Sequence, residues 1–471
     1  MKDKKTIAIV LAIGIGTFMS ALDSSVVNLA MPMIKHHFNA SLSMVEWIVT
    51  AYLLIVSSLL LTFGRISDLY GQKRVYSTGF IIFIIGSLLC GLSTNILMLI
   101  LCRVIQALGA GMLFSTGTAI ITNAVPPEHR GKALSITAIA VALGLVAGPV
   151  IGGTLSTLCG WQSIFYINVP VGIFGYLMVM KNVPKDEKTK AVPFDLLGSV
   201  LIFIALLLFL LPLNLSGDYN IPPVLFVSSL AAGILTTVFF IFYEKKCPYP
   251  MLKISLFQNR VFSASSIAAL FIYMAQFIMV FLVPFYLVNL RGYSTLLSGL
   301  LYMPMPIATM CIAPISGSLS DRFDSKFFSS AGAFIMAGGL LLLSFLQKDT
   351  AVGYIIFSMI VTGIGFGMFQ TPNNSAIMGN APKENRGTAS GTLATMRNIG
   401  MALGVAISGA FFSFFEGKAK ESVPALSQNE IFTYALHLTF LIAAFVALIA
   451  MTASLVKGKV KTEKEKQTTS I

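Results

Sequence analysis

Gly64-Arg-Ile-Ser-Asp-Leu-Tyr-Gly-Gln-Lys73 returns later in the chain as Gly317-Ser-Leu-Ser-Asp-Arg-Phe-Asp-Ser-Lys326. Glycine-rich membrane helices resemble one another, but matching polar loops do not arise from helix packing. We therefore interpret these matches as an internal duplication. Three more segments return in the same order: Gly109-Ala-Gly-Met112 as Gly365-Phe-Gly-Met368, Glu128-His-Arg-Gly131 as Glu384-Asn-Arg-Gly387, and Gly144 and Gly148 as Gly400 and Gly404.

The composition is that of a membrane protein. The chain is 56% hydrophobic and 11% charged, with a mean hydropathy of +0.84, whereas soluble domains carry about 25% charged residues. This excludes a soluble enzyme, a disordered chain and a nucleic-acid-binding module. A bilayer-spanning helix needs about 20 apolar residues, and the sequence predicts fourteen such spans. They are 7–30, 45–63, 75–94, 96–124, 133–157, 163–181, 195–214, 222–243, 261–288, 295–318, 327–346, 352–378, 388–415 and 432–456.

The spans and the duplication together predict an all-α integral membrane protein. The first six spans correspond to the last six, and the seventh and eighth form an extra pair between the halves. Two similar halves around a central cavity are typical of transporters. The predicted parts are an N-terminal half (1–182), a linker with the extra pair (183–258), a C-terminal half (259–456) and a basic tail (457–471).

The positive charges predict the orientation. If the N-terminus is cytoplasmic, few of the 32 Lys and Arg residues lie in the loops on the outer side of the membrane. By the positive-inside rule, both termini are cytoplasmic, and we expect a bacterial cell membrane. The net charge of +13 then indicates attraction to an anionic inner leaflet rather than to nucleic acid. The outer loops hold Lys35, Arg291, Lys348, Lys418 and Lys420, and two arginines, Arg103 and Arg397, lie within spans.

Four segments resemble motifs of one family. They are the loop from Gly64 to Arg74, Leu22-Asp23-Ser-Ser-Val-Val-Asn28-Leu-Ala-Met-Pro32, Arg103-Val-Ile-Gln106-Ala-Leu-Gly109, and Gly144-Leu-Val-Ala-Gly148-Pro149-Val-Ile-Gly152-Gly153. In these motifs the chain resembles the major facilitator superfamily, in particular its fourteen-spanner drug:proton antiporter branch. One departure is Trp161-Gln-Ser163, where that branch has Trp-Arg-Trp.

Asp23 and Arg103 are the candidate residues for proton coupling or gating. At 1.5 Å per residue, both lie roughly 10 Å below the outer surface, so they are able to pair. A charge buried in a membrane helix costs at least about 2.5–3.5 kcal/mol, so each side chain needs a partner or water. One interpretation is a proton switch, in which movement of Arg103 controls protonation of Asp23. The other is a permanent structural ion pair.

Polar residues within the other spans are candidates for the substrate cavity. Arg397 either attracts an anionic or electron-rich ligand group or bonds to backbone carbonyls. Residues 370–374, Gln-Thr-Pro-Asn-Asn, are expected to interrupt the twelfth helix because proline frees a carbonyl. Their amides either bind the ligand or join helices. The candidates are Asn28, Gln106, Gln276, Gln370, Asn373, Asn374 and Arg397.

The resemblance also implies roles for loop residues and glycines. In this family the loops lock the halves at the cytoplasmic side. The alternative is ordinary helix capping combined with positive-inside charge. The gate candidates are Gly64, Asp68, Gly71, Arg74, Asp321 and Arg322. Gly144, Gly148, Pro149, Gly152 and Gly153 are expected to permit close helix packing.

The predicted function is secondary active transport, and no enzymatic activity is expected. Since no GxxxxGK[ST] phosphate loop occurs, an ion gradient is the expected energy source. We predict proton-coupled efflux of small organic compounds, including drugs, by alternating access. The alternative is uptake of a planar heterocyclic solute such as riboflavin. We expect a monomer without cofactor or metal.

Overall fold

The computed structural model describes residues 4–124, 130–184, 195–215, 222–250, 252–320, 324–380, 386–422 and 427–456. Fourteen helical segments are long and apolar enough to cross a membrane, which confirms the predicted all-α membrane fold. The helices are α1 (Lys4–Phe38), α2 (Leu42–Tyr70), α3 (Gln72–Gly91), α4 (Ile96–Ala124), α5 (Arg130–Cys159), α6 (Ser163–Tyr166), α7 (Asn168–Asn182), α8 (Leu196–Leu215), α9 (Pro223–Lys246), α10 (Arg260–Phe285), α11 (Thr295–Tyr302), α12 (Pro304–Ser320), α13 (Ser325–Ser344), α14 (Val352–Asn380), α15 (Arg386–Ser422) and α16 (Gln428–Leu455).

The chain forms two compact units. Unit 1 comprises residues 1–214, 220–251 and 287–300, and unit 2 comprises 215–219, 252–286 and 301–471. The extra helices α8 and α9 therefore belong almost entirely to unit 1. The domain boundaries at 182 and 258 stay predictions.

The duplicated glycines make equivalent contacts in the two units. In unit 1, a Cβ added to Gly109 of α4 would lie 2.7 Å from the carbonyl oxygen of Gly79 on α3. In unit 2, a Cβ added to Gly365 of α14 would lie 2.7 Å from the carbonyl oxygen of Gly332 on α13. Only a residue without a side chain permits backbones to approach this closely. The repeat seen in the sequence is thus also a repeat of helix contacts.

A second pair of helix contacts follows the same repeat. Gly144 places α5 against α1, where an added Cβ would lie 2.7 Å from the Phe18 carbonyl oxygen. Gly400 places α15 against α10, where an added Cβ would overlap the Leu270 carbonyl oxygen. The glycine motif therefore sets the packing of α1, the helix that carries Asp23.

Several helix boundaries differ from the predicted spans, and prolines account for two differences. Predicted span 163–181 lacks one helical hydrogen bond near Tyr166, because Pro170 has no N–H to donate to the Tyr166 carbonyl oxygen. Ile167 keeps α-helical torsion angles, and Ser163–Asn182 is one membrane-length helical segment. Predicted span 295–318 divides into α11 and α12 at Met303, since Pro304 has no N–H to donate to the Leu300 carbonyl oxygen. Thr295–Ser320 is still one membrane-length helical segment. Predicted span 261–288 ends in a π-helical segment, Tyr286–Leu290.

The prediction that residues 370–374 interrupt the twelfth helix is wrong. α14 runs from Val352 to Asn380 with Pro372 inside it. Proline removes one N–H donor from a helix, and membrane helices tolerate that loss when neighbouring groups satisfy the freed carbonyl. The amides of this segment therefore project from a continuous helix.

Apolar side chains are exposed where a bilayer would contact the protein. α9 exposes Val224 by 77% and Leu235 by 69%. A soluble monomer rarely exposes large contiguous apolar patches. The exposed face of α9 is accordingly suited to lipid contact.

Candidate functional site

A buried polar network in unit 1 surrounds Asp23. Asp23 lies on α1 and is fully buried. Arg103 Nη1 of α4 lies 2.7 Å from Asp23 Oδ2. The other carboxylate oxygen accepts hydrogen bonds from Gln106 Nε2 at 2.9 Å and Asn168 Nδ2 at 2.8 Å. The carboxylate thus has one charged partner and two amide donors.

Further contacts fix the Arg103 guanidinium, which is 1% exposed. Its Nε donates to the Ile48 carbonyl oxygen at 3.3 Å, and its Nη1 also donates to Gln106 Oε1. The Tyr52 ring lies with its centroid 4.2 Å from Cζ, which is within cation–π range. Three helices of unit 1 therefore hold this single side chain.

The energetics of this pair depend on both charges staying together. Burying one charge alone is costly, and removing one partner of a buried ion pair costs about 3–5 kcal/mol. Asp23 and Arg103 are each less than 2% exposed. Any conformational change that separated them would therefore require water, another partner or a proton.

Sequence reasoning did not identify three residues of this network. Asn168 is the first residue of α7, and Ser87 Oγ accepts a 2.8 Å hydrogen bond from Gln106 Nε2. Tyr52 lies on α2 beneath Arg103. An asparagine inside an apolar span was a usable signal for Asn168, whereas no sequence feature distinguishes Ser87 or Tyr52 from packing residues.

A second polar group lies in unit 2. Arg397 Cζ lies 5.9 Å from the Tyr273 ring centroid, and Gln370 Nε2 donates to the Tyr273 hydroxyl at 2.8 Å. Arg397 takes no part in the ion pairs Asp23–Arg103 and Lys420–Glu416. Arg397 therefore has no acidic partner in the part of the chain that is described, so its charge is available to an electron-rich group.

The remaining amide candidates differ in how their polar atoms are used. Asn373 Nδ2 donates to the Ser265 carbonyl oxygen at 3.0 Å, which joins α14 to α10. Gln276 Nε2 lies 3.6 Å from Met305 Sδ, and its buried Oε1 has no hydrogen-bond partner among the described residues. Asn28 Nδ2 donates to Ser24 O at 2.8 Å, and its Oδ1 likewise lacks a described partner. Asn374 is half-buried.

The described gate candidates lie in the last two turns of α2, at the turn after it and in the first turn of α3. Asp68 lies in the last turn of α2, and Gly71 links α2 to α3 with a φ of 101°. Few non-glycine residues adopt this φ, so the turn itself explains the glycine. Nothing lies within 4 Å of a Cβ added to Gly64, and the Arg74 side chain is exposed. Asp321 and Arg322 lie outside the described residues.

The lysine of the same loop anchors a later segment. Lys73 Nζ donates to the carbonyl oxygens of Met180 at 2.9 Å and Val183 at 2.6 Å. These carbonyls lie at the end of α7, and the last carbonyls of a helix have no hydrogen-bond partner within the helix. The loop after α2 is thereby tied to the end of the sixth span.

The packing motif continues along α5 beyond Gly144. An added Cβ at Gly148 would overlap Ser25 of α1, and one at Gly152 would lie 2.9 Å from Val26 Cγ1. An added Cβ at Gly153 would lie 2.8 Å from Leu296 Cα, and the Pro149 carbonyl oxygen lies against Gly299. α5 therefore packs closely on α1 along one face and on the start of α11 along another, all within unit 1.

Three buried carboxylates were missed by the sequence reasoning. Glu46, Asp195 and Glu244 are at most 5% exposed, and all lie in unit 1. They are close to helix ends, where acidic residues usually face water, so their burial is not visible in the sequence. Asp195 Oδ1 accepts hydrogen bonds from Gly198 N at 2.8 Å and from the Tyr243 hydroxyl at 2.9 Å. Every buried carboxylate of the described residues lies in unit 1.

Fourteen membrane-length helices, a duplicated helix arrangement and ionisable groups buried at membrane depth define an integral membrane transporter. The chain belongs to the major facilitator superfamily, since that family's sequence profile, described as "Major Facilitator Superfamily", matches residues 13–405. The protein is thus a transporter and not an enzyme, as the sequence predicts.

Named relatives and solved structures agree with this assignment. The chain is 36% identical to the riboflavin transporter RibZ of Clostridioides difficile, over 96% of this chain and 97% of RibZ. It is 30% identical to the multidrug transporter protein MdtP of Bacillus subtilis, over 88% of this chain and 77% of MdtP. The fold is similar to a bacterial homolog of the human lysosomal transporter Spinster, with a TM-score of 0.72, 16% identity and 97% coverage of both chains.

Proposed function

We propose that this protein couples proton movement to the export of small amphipathic organic compounds by alternating access. The observation that carries the proposal is the fully buried Asp23 paired with Arg103 at 2.7 Å. This is an ionisable group at membrane depth, which in membrane proteins marks ion pathways and proton relays.

The coupling step follows from the contacts around Asp23. While Arg103 stays in place, the negative charge of the Asp23 carboxylate is paired with the guanidinium of Arg103. The carboxylate also accepts hydrogen bonds from the amides of Gln106 and Asn168. If a change of state withdraws Arg103, an ionised carboxylate in a low dielectric becomes costly, and Asp23 takes up a proton. Return of Arg103 expels the proton. The equilibrium between the two states is thereby linked to the proton gradient.

The charges of unit 2 support a neutral or anionic substrate over a permanent cation. A bound cation in a low dielectric requires a counter-charge. Unit 2 offers no buried carboxylate among its described residues, but it offers Arg397 over the Tyr273 ring. Amphipathic compounds with carbonyl or acidic groups therefore suit this group of residues.

Uptake of riboflavin is the second candidate function. It is favoured by the similarity to RibZ along nearly the full length of both chains. Arg397, Gln370 and Tyr273 also supply donors and an aromatic face of the kind that a planar heterocycle with ring carbonyls would use. The two candidates share the fold and the proton site and differ in substrate and direction.

One pair of strains separates export from uptake. Export predicts resistance of an efflux-deficient host to amphipathic drugs and no growth of a riboflavin auxotroph on limiting vitamin. Uptake predicts growth of the riboflavin auxotroph on limiting vitamin and no drug resistance of the efflux-deficient host. Failure in both assays, with the protein present in the membrane, would contradict both candidates.

The proton role is tested by Asp23→Asn in everted vesicles or proteoliposomes. We expect gradient-driven transport to be lost while exchange of labelled for unlabelled substrate persists, because exchange needs no proton transfer. The matched control is Asp349→Asn, which changes an exposed aspartate. Full gradient-driven accumulation by Asp23→Asn would contradict proton coupling at this residue.

We also propose residence in the bacterial cell membrane with both termini cytoplasmic. The proposal rests on the positive-inside distribution of lysine and arginine. Single cysteines at positions 3 and 466, introduced after replacing the five native cysteines by serine, should react with membrane-impermeant maleimide in everted vesicles but not in intact cells. Labelling of either position in intact cells would contradict this orientation.

A further inference from the structure

A groove in unit 2 lies between α10 and α16, outside the transport residues discussed above. Its volume is about 350 Å³. It begins where α10 starts and α16 ends, and Arg260 lies at this rim. Apart from Arg260, its lining consists of apolar and hydroxyl side chains, among them Ser263, Ile267, Ile449, Thr452 and Val456.

Arg260 is exposed but held in place at the rim. Its Nε donates to the Val456 carbonyl oxygen at 2.9 Å, so the side chain bridges α10 and the end of α16. The ion pairs of the described residues do not include it. Its positive charge is therefore oriented by one hydrogen bond and has no acidic partner in the described chain.

The groove continues from this charged rim into the apolar part of the helices. Ile267 lies seven residues after Arg260, and Ile449 lies seven residues before Val456. At 1.5 Å per residue, both isoleucines lie about 10 Å from the rim along the helix axis. Ile267 is 47% exposed. The groove therefore combines one positive charge at the helix ends with an open apolar part that extends about two helical turns along the helix axes.

We propose that this groove binds an anionic phospholipid, with the phosphate at Arg260 and an acyl chain along the apolar part of the groove. Charge complementarity supports the occupant. The N-terminus of α10 carries a positive helix dipole, and the sequence continues after Val456 with Lys457, Lys459 and Lys461. In the orientation proposed above, this rim faces the anionic inner leaflet. The site does not depend on the substrate or on the direction of transport.

Lipid retention by the full-length purified protein tests the proposal. The protein in detergent is mixed with dioleoyl phosphatidylglycerol or dioleoyl phosphatidylcholine, and native mass spectrometry counts the lipids retained. We expect preferential retention of phosphatidylglycerol. Arg260→Gln should reduce that retention about fivefold, which is the contribution of one basic group near an anionic surface. Ile267→Trp should also reduce phosphatidylglycerol retention, because the larger side chain fills the apolar part of the groove without altering the charge.

Lys245→Gln is the matched control. Lys245 lies near the end of α9, carries the same charge and does not line the groove. It should retain phosphatidylglycerol like the unaltered protein. Equal retention of the two lipids, or unchanged retention in both Arg260→Gln and Ile267→Trp, would overturn the proposal. Displacement of the lipid by excess inorganic phosphate would also overturn it, because the site would then recognise a free anion rather than a lipid.

Discussion

Asn168 donates a 2.8 Å hydrogen bond to Asp23, across 145 residues of sequence. It is fully buried and is the first residue of α7. Ile167, between α6 and α7, has α-helical torsion angles (φ −60°, ψ −29°), so the sixth span continues through this point and brings the Asn168 side chain to the proton site. The sixth span thus contributes to a network that also includes residues of α1, α2, α3 and α4.

Asn168→Ala tests that relationship. The change removes one donor to the Asp23 carboxylate, and a hydrogen bond to a charged group contributes about 1.5–3 kcal/mol. We expect a lower midpoint in thermal unfolding of the detergent-solubilised protein and slower gradient-driven transport. Asn182→Ala is the control, because Asn182 Nδ2 donates to Met178 O and Met178 Sδ of its own helix. Equal effects of the two substitutions would show that the Asp23 contact has no special importance.

Arg103→Lys tests the geometry of the ion pair apart from its charge. Lysine has a compact ammonium group that cannot reproduce the planar set of arginine donors. It would lose the simultaneous contacts with Asp23, Gln106 and the Ile48 carbonyl oxygen, and also the Tyr52 face. We expect at least a roughly tenfold loss of gradient-driven transport, equivalent to about 1.4 kcal/mol.

Arg291→Lys provides the comparison for Arg103→Lys. Arg291 also lies over a tyrosine ring, that of Tyr293 at 5.1 Å, but it is only partly buried. Its replacement should leave transport within twofold of the unaltered protein, since exposed charge contacts contribute about 1 kcal/mol or less. Normal coupling in Arg103→Lys would mean that charge alone suffices at that position.

The sequence predicts the global fold better than it predicts the sites. Hydropathy and the duplicated motifs suffice for fourteen helices, because lipid requires each span to satisfy its own backbone hydrogen bonds. The depths of Asp23 and Arg103 allow their pairing but do not show the contact. The contact of Asn168 with Asp23 and the burial of Glu46 both depend on tertiary packing. Residues 370–374 were misread because one proline is insufficient to end a membrane helix.

Gly148→Ala tests the contact between α5 and α1. A Cβ at this position would overlap Ser25, and overpacking of a tight contact costs about 1–3 kcal/mol. We expect reduced thermal stability together with reduced transport, because α1 carries Asp23. Gly338→Ala is the control, since nothing lies within 4 Å of a Cβ added there. It should be neutral or slightly stabilising, because alanine favours helix more than glycine does. Full stability and transport in Gly148→Ala would contradict tight packing at this site.

Gly71→Ala and Gly64→Ala separate backbone strain from side-chain space in the signature loop. Gly71 has a φ of 101° and a ψ of 136°, and such sparsely populated backbone conformations cost a residue with a side chain about 1–3 kcal/mol. Gly64 is helical, and nothing lies within 4 Å of a Cβ added there. We expect Gly71→Ala to lower the unfolding midpoint and Gly64→Ala to leave it unchanged. The reverse order would contradict the turn geometry. A transport defect in Gly64→Ala without a stability change would instead support the gate role proposed for this loop.

Arg397→Gln tests whether unit 2 binds the electron-rich part of the substrate. Glutamine keeps hydrogen-bond donors but removes the charge, and a hydrogen bond to a charged group contributes about 1.5–3 kcal/mol. We expect KM for an anionic or carbonyl-rich substrate to rise roughly tenfold or more with less change in the maximal rate. Tyr273→Phe should have a smaller effect, since it keeps the ring beside Arg397 and removes only the hydroxyl that accepts from Gln370. Lys420→Gln, at an exposed ion pair with Glu416, controls for the loss of one positive charge. If Arg397→Gln and Lys420→Gln gave the same KM, Arg397 would have no role in substrate binding, while the proton role of Asp23 would be unaffected.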